Sequence, residues 1–372
     1  MRRQRKGRSQ RRTERHWYRP EIPTRRHGEV GRSPLKVAVL APIAWRTPPR
    51  HYGPWELFAS LLTEGLVELG HDVTLFATAD SITNARLHGT ASTGWSEDDS
   101  IEPKVAECTH IAAVFERAGE FDIIHNGFDF LPLTYSGLVS TPVVTTIHGF
   151  SSPQIVPVYE RYDETTTYVA ISDADRHPRL HYAATIHHGI DVDAFAVDPS
   201  PGDHLLFFGR IHPDKGTADA IDVARRSGRR LVIAGIIQDH DYFRDRVAPH
   251  LDDDRICYIG PVAAAERSTV LGGAHALLHL IHFDEPFGFS VVEALACGTP
   301  VIAYDRGSMS ELIDDGMTGY LIRDTAEALR AVDAANDLDR IAIRASTVAR
   351  FSRTAMVEKY DAVYRAVLNR SV

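Results

Sequence analysis

Residues 274–298 read AHALLHLIHFDEPFGFSVVEALACG, and the reading of this stretch decides the fold. The apolar run 274–283 predicts a buried strand and its exit. Pro286 and Gly288 then make a loop. From Phe289 to Ala296 the chain has good helix formers and no breaker, and Gly298 is placed to stop the helix. The order is strand, Gly/Pro loop, helix. Such a turn directs free backbone N–H groups and the positive end of a helix dipole at whatever lies above the loop, and phosphate is the common occupant.

Two carboxylates frame the loop. Glu285 precedes the helix; Glu293 lies inside it, four residues after Phe289 and four before Cys297. That spacing puts Glu293 on the stripe of apolar residues. A buried carboxylate without partners is costly, and sugar hydroxyls, which donate hydrogen bonds, would satisfy it. The plainer reading is a half-exposed helix with Glu293 in a salt bridge. A hydrolase pair fits poorly. Eight helical residues span roughly 12 Å, whereas glycosidase carboxyl groups sit roughly 5–9.5 Å apart.

Outward from this stretch, strand and helix patterns alternate along the chain. A first buried strand is predicted at 35–40 (LKVAVL), and a loop rich in Pro, Gly and aromatics follows, without a G-x-G-x-x-G pattern. The helix PWELFASLLTEGLVELG has Pro54 in its first turn and Gly70 at its end. Strands are predicted at 73–78, 122–126, 143–147 and 168–172, with a helix around residues 111–120. The 143–147 strand ends in His148-Gly149, at the edge where ligands bind in open α/β sheets; alone, His148 reads as a polar loop histidine. Adjacent His187 and His188 on an extended segment point to opposite faces, so they make no metal pair and read as structural. Residues 198–202 (DPSPG) read as a linker. Then HLLFFGRIHPDKG sets Arg210 and Lys215 between a strand and a helix. Two cations so placed suit a diphosphate, the Arg by two contacts and the Lys as a point charge; solvated surface charge is the plainer reading. Further strands at 231–235, 255–260, 275–280 and 300–304 alternate with helices, and after 321–324 (LIRD) the chain is helical.

The stretch EPFGFSVVEALACGTPVIAYDRGSMSELIDDGMTGYLI resembles the donor-site segment of retaining glycosyltransferases of family four, a group that includes glycogen synthases and mannosyltransferases. The resemblance covers roughly residues 35–370. It implies an α/β protein of GT-B architecture: two Rossmann-like, doubly wound domains facing across a cleft, with a C-terminal helix crossing back to the first. The domains expected are a basic tail without structure over 1–33, an acceptor domain over 34–195 completed by about 355–372, and a donor domain over 203–350. It further implies that Glu285 contacts the donor sugar and Glu293 the ribose hydroxyls, with Phe287, Gly288, Phe289 and Ser290 lining the donor between them. By the same resemblance Arg210 and Lys215, in the pattern G-R-x-x-x-x-K-G, hold the donor phosphates; Gly260 opens the base-binding loop; His148 lies near the donor sugar. Gly53 matches the glycine loop after the first strand, but Pro54 follows it where the family usually pairs glycines, leaving one N–H fewer.

The activity so implied is transfer of a hexose, with retention, from a nucleotide diphosphate sugar. A UDP-sugar is the first expectation and GDP-mannose the second. The catalytic set is His148, Arg210, Lys215 and Glu285. No Asp-x-Asp pair near these residues suggests a bound divalent ion, so no metal and no cofactor are expected beyond the nucleotide sugar itself. The acceptor, whether a small molecule, a glycan or a lipid-linked sugar, and the oligomeric state are not written in the sequence. Two other activities share the fold: epimerisation of the nucleotide sugar, and binding without catalysis. A glycogen-type phosphorylase needs a cofactor lysine and a longer chain.

Charge sharpens this. Residues 1–33 hold twelve Lys/Arg and three Asp/Glu, a balance of +9; the whole chain carries −9, so the remainder carries −18. An acidic body argues against nucleic acid as partner. The tail suits contact with an anionic membrane surface, and an unstructured leader is the plainer reading. No apolar run reaches the ~18 residues of a membrane span, and the Arg-rich start is no secretory signal. Cys108, Cys257 and Cys297 are too few and too scattered for a disulfide framework. A cytoplasmic protein, peripheral at the inner membrane face at most, is expected.

Overall fold

Among the described residues thirteen short strands, mostly apolar and buried, set the architecture. The first seven are β1 (Lys36–Leu40), β2 (Asp72–Ala77), β3 (Arg86–Gly89), β4 (Ile123–Asn126), β5 (Val143–Ile147), β6 (Thr167–Ala170) and β7 (Tyr182–Thr185). They form one sheet in the order β3-β2-β1-β4-β5-β6-β7. The next six are β8 (Leu205–Phe208), β9 (Leu231–Ala234), β10 (Ile256–Gly260), β11 (Ala276–His279), β12 (Val301–Tyr304) and β13 (Gly319–Ile322), in the order β10-β9-β8-β11-β12-β13. Every neighbouring pair runs parallel. Parallel strands need covered faces on both sides, which is why β4 and β5 are buried at every position. The structure is a computed structural model that describes residues 33–50, 53–150, 152–198, 200–252 and 254–370. The basic tail expected over 1–33 lies outside the described residues, Ser33 apart.

In each sheet the strand order reverses once, between β1 and β4 and between β8 and β11. In open α/β sheets ligands bind beyond the carboxyl ends of the strands at such a reversal. Arg210 and Lys215 follow β8 and Glu285 follows β11, so the second reversal gathers the residues that the sequence places around a diphosphate.

The C-terminal helix Arg353–Arg370 belongs to the first core. Met356, Val357, Tyr360, Tyr364 and Val367 pack with Phe58, Leu62 and Leu66 of the Pro54–Glu68 helix. Its approach depends on Gly65, where an added Cβ would collide with Val357. Polar anchors fix its rotation: the Tyr360 hydroxyl lies 2.8 Å from that of Thr146, and the Tyr364 hydroxyl 2.8 Å from His125 Nδ1. Residues 34–372 accordingly form one compact unit.

Three strands escape the sequence reading. β3 (RLHG) is a largely exposed edge and β7 (YAAT) an edge strand with no fully buried residue; β13 is only four residues long after a glycine turn. The first two offer no apolar run. The β9–β10 connection is not one regular helix but a single turn, a π-helical segment Phe243–Val247 and a 3-10 turn containing Pro249, which lacks an N–H to continue a helix. Ile190, Phe195 and Phe351 pack in the core of the second sheet, and the returning helix begins at Arg353.

Candidate active site

At the end of β11 the chain leaves the sheet at buried His279, runs through the Glu285–Gly288 loop and enters the Phe289–Ala296 helix, whose N-cap is Gly288 at φ 106°. The loop is braced from behind. Ser308 donates its backbone N–H to the Glu285 carbonyl (2.9 Å) and its hydroxyl to the Phe287 carbonyl (2.5 Å). Gly307, at φ 55°, lets the bracing turn lie against Glu285; a Cβ there would meet the Glu285 backbone. The glutamate is therefore held on a rigid support.

Lys215 donates from Nζ to Glu285 Oε2 at 2.7 Å, with both side chains half-buried. The ammonium also lies 4.5 Å from the centroid of the Phe283 ring. His279 Nε2 is 3.9 Å from the same carboxylate oxygen, and burial holds its imidazole down at about 4. Arg210 binds the Gln238 side chain and lies 3.6 Å from Asp214. The second glutamate, Glu293, is buried, and its Oε1 accepts from Arg267 Nη1 at 2.7 Å. Burial raises its carboxyl above the ordinary range while Arg267 pulls it back.

Across from these charges stands an aromatic nest. His148, just past β5, stacks on Trp55 (centroids 5.4 Å) and meets the Phe58 ring edge-on at 4.8 Å. Its Nδ1 lies 3.3 Å from His188 Nε2, and His188 in turn stacks on Phe289 at 5.1 Å with rings 9° from parallel. Burial pushes His148 down to about 3 and His188 well below its usual value, so both rings are neutral. His148 Nε2 and His188 Nδ1 are buried with no hydrogen-bond partner among the described residues. The two halves also meet through Glu311, which accepts from the backbone N–H groups of Asp173 and Ala174 (2.9 and 2.8 Å) and contacts His187 Nε2 at 2.8 Å. Among the described residues no three His, Cys, Asp or Glu side chains group as metal ligands, and no helix is long and apolar enough to cross a membrane.

Residues 197–341 match the family described as Glycosyl transferases group 1. The phosphatidyl-myo-inositol mannosyltransferase of Mycobacterium tuberculosis is 28% identical over 275 residues, 65% of this chain and 71% of that one. The D-inositol 3-phosphate glycosyltransferase of Pseudarthrobacter chlorophenolicus is 34% identical over 214 residues, 52% of this chain and 48% of that one. In fold, the chain is similar to Anabaena Alr3699/HepE in complex with UDP and glucose, at a TM-score of 0.69 and 18% identity, covering 89% of this chain and 100% of the other. The chain is a GT-B glycosyltransferase of the family-four type.

In this glycosyltransferase Arg210, Lys215 and Glu285 come together at the carboxyl ends of β8 and β11, with Phe289 and Ser290 opening the adjoining helix. Gly260 closes β10 at φ 80°. Gly53 caps the Pro54–Glu68 helix at φ 151°, beside the Glu56 carboxylate. Phe287 stands apart: its side chain is buried against Phe289, Phe351 and His188, so any contact it offers a donor comes from its backbone. His188, read as structural, adjoins His148 and Phe289. Sequence reasoning missed Arg267 and Glu311, since each gains its meaning from a partner far away in the chain, and the titrating state of Glu56, which comes from burial. Glu56, buried in the first helical turn, is pushed up to about 7 by burial. Half-buried Asp175, near Gly149 across from Pro286, is also raised to about 7, by burial and then by Glu311.

Proposed function

We propose that the enzyme transfers a hexose from a nucleotide diphosphate sugar with retention of the anomeric configuration, its donor held by Arg210, Lys215, Glu285 and Glu293. The observation that carries this is the Lys215–Glu285 pair at the reversal of the second sheet. It sets a cation for a diphosphate and a carboxylate for sugar hydroxyls 2.7 Å apart, on a braced loop ahead of a helix N-terminus. In the reaction the bond from sugar C1 to the diphosphate oxygen breaks. The acceptor oxygen bonds to C1 from the same face, and its proton passes to the leaving diphosphate. Arg210, Lys215 and the N–H groups of the Phe289–Ala296 helix stabilise the charge that develops there, without a metal. No strongly basic side chain is then needed, in keeping with the neutral imidazoles of His148 and His188.

The donor remains a UDP-sugar first and GDP-mannose second. UDP is supported by the fold shared with a UDP- and glucose-bound protein, and mannose by a relative named as a mannosyltransferase. Two relatives carry inositol acceptors in their names, which makes inositol phosphates and phosphatidylinositol the first acceptors to try. The test incubates UDP-, GDP- and ADP-hexoses with these acceptors in the presence of EDTA and reads the anomeric configuration of the product by NMR. A product with the donor's configuration is expected. An inverted product, or activity abolished by EDTA and restored by magnesium, contradicts the mechanism.

A further inference from the structure

The Glu293–Arg267 pair carries more than a structural salt bridge needs. Arg267 stands on the Ala264–Gly272 helix, whose neighbour Ser268 accepts a long hydrogen bond from Cys297 Sγ (3.7 Å) one turn beyond Glu293. The two helices are therefore pinned side by side. The guanidinium also lies 5.8 Å from the centroid of Phe208, the last residue of β8, immediately before Gly209 and Arg210. Arg267 thus belongs to the same end of the second sheet as the diphosphate residues.

Part of the hydrogen-bonding capacity of this pair is unused. Glu293 Oε1 takes Nη1 of Arg267 at 2.7 Å, yet Glu293 Oε2 and Arg267 Nε are both buried and have no partner among the described residues. An ion pair evolved only to hold two helices would use the guanidinium fork bidentately, which is its strongest geometry. The pair thus leaves one unpaired acceptor and one unpaired donor, and a group that both donates and accepts could serve either. A carbonyl only accepts and an ammonium only donates; a hydroxyl does both. Leaving either atom desolvated and unpaired is costly, and a ligand hydroxyl is suited to relieve that cost.

We propose that Arg267 is a positioning residue that fixes Glu293 by one oxygen and leaves the other for a ribose hydroxyl of the donor nucleotide. The proposal rests on the donor reading above. A merely structural Arg267 would set the stability of the protein; a positioning Arg267 also sets how strongly the protein distinguishes ribose from deoxyribose.

Dissociation constants for UDP and GDP, each against its 2′-deoxy counterpart, test this in the wild type, Arg267→Met and Arg267→Lys. The wild type should prefer the ribonucleotide roughly tenfold or more, the scale of one hydrogen bond to a charged group. In Arg267→Met that preference should collapse to about twofold or less, and Arg267→Lys, which keeps the charge, should restore much of it. If Arg267→Met weakens both nucleotides equally and keeps the wild-type ratio, Arg267 is structural and the proposal fails alone. If the wild type binds neither nucleotide, or binds both without preference for ribose, the donor reading fails and this inference falls with it. Should Arg267→Met not fold, Arg267→Gln carries the same test, since it keeps an N–H donor and loses the charge.

Discussion

On the second sheet the site is built of charge: Lys215 with Glu285 and Arg267 with Glu293, each pair at 2.7 Å. On the first sheet it is built of neutral aromatic rings, with His148 and His188 set among Trp55, Phe58 and Phe289. Charges half out of water survive because each has an opposite partner, and a diphosphate with its sugar can take over those partners. Imidazoles packed among aromatic rings instead lose their protons, which suits them to hydrogen bonding with hydroxyls and not to charge. Under the proposed function, leaving-group chemistry would fall to one side and recognition of sugar and acceptor hydroxyls to the other.

The sharpest way to break that division is to remove a donor-side cation. Lys215→Ala or Arg210→Ala should lower turnover by on the order of a hundredfold, the scale of about 3 kcal/mol of transition-state stabilisation. Lys215→Ala also strands Glu285, so the melting temperature should fall. The double variant Lys215→Ala/Glu285→Gln should regain the melting temperature and stay inactive. Recovery of activity with stability would make the pair purely structural.

Glu293→Gln sharpens the comparison further. A lone buried carboxylate would be relieved by amidation, but here Arg267 would lose its counter-charge. The unliganded protein should therefore lose a degree or more of melting temperature, and donor affinity should fall roughly tenfold. Unchanged affinity would leave Glu293 a structural residue only.

A smaller effect probes the first sheet. Burial holds the Glu56 carboxyl at about 7 in place of its ordinary 4.5. The folded state therefore keeps a proton that the unfolded chain releases between those values. The stability tied to that proton is full below about 4.5 and lost as pH rises through 7. Glu56→Gln should melt a few degrees above the wild type at pH 8 and alongside it at pH 4.5, with thermal denaturation at the two pH values as the measurement. The same gain at both pH values would assign the effect to something other than ionisation.

The same contrast explains what the sequence disclosed. On the donor side, Glu285, Gly288 and Glu293 lie within nine residues of one strand–loop–helix unit, and Arg210 and Lys215 within another. Local spacing exposes such units directly. On the first sheet, His148 acquires its environment from Trp55, Phe58 and His188, which are distant in sequence and meet only in the folded chain. Arg267 was hidden for the same reason: nothing in AAERSTV indicates that its fourth residue will reach a glutamate on the next helix. The short edge strands β3 and β7 were hidden because an edge has only one covered side and needs no apolar run.

The most direct test of the account is the binding of UDP and GDP to the wild-type protein and to Lys215→Ala, measured by isothermal titration calorimetry in EDTA. One of the two nucleotides should bind the wild type at least tenfold more tightly than the variant, the loss expected from one charge-assisted contact to phosphate. Equal affinity for wild type and variant, with both proteins folded, would contradict the assignment of the donor diphosphate to the reversal of the second sheet.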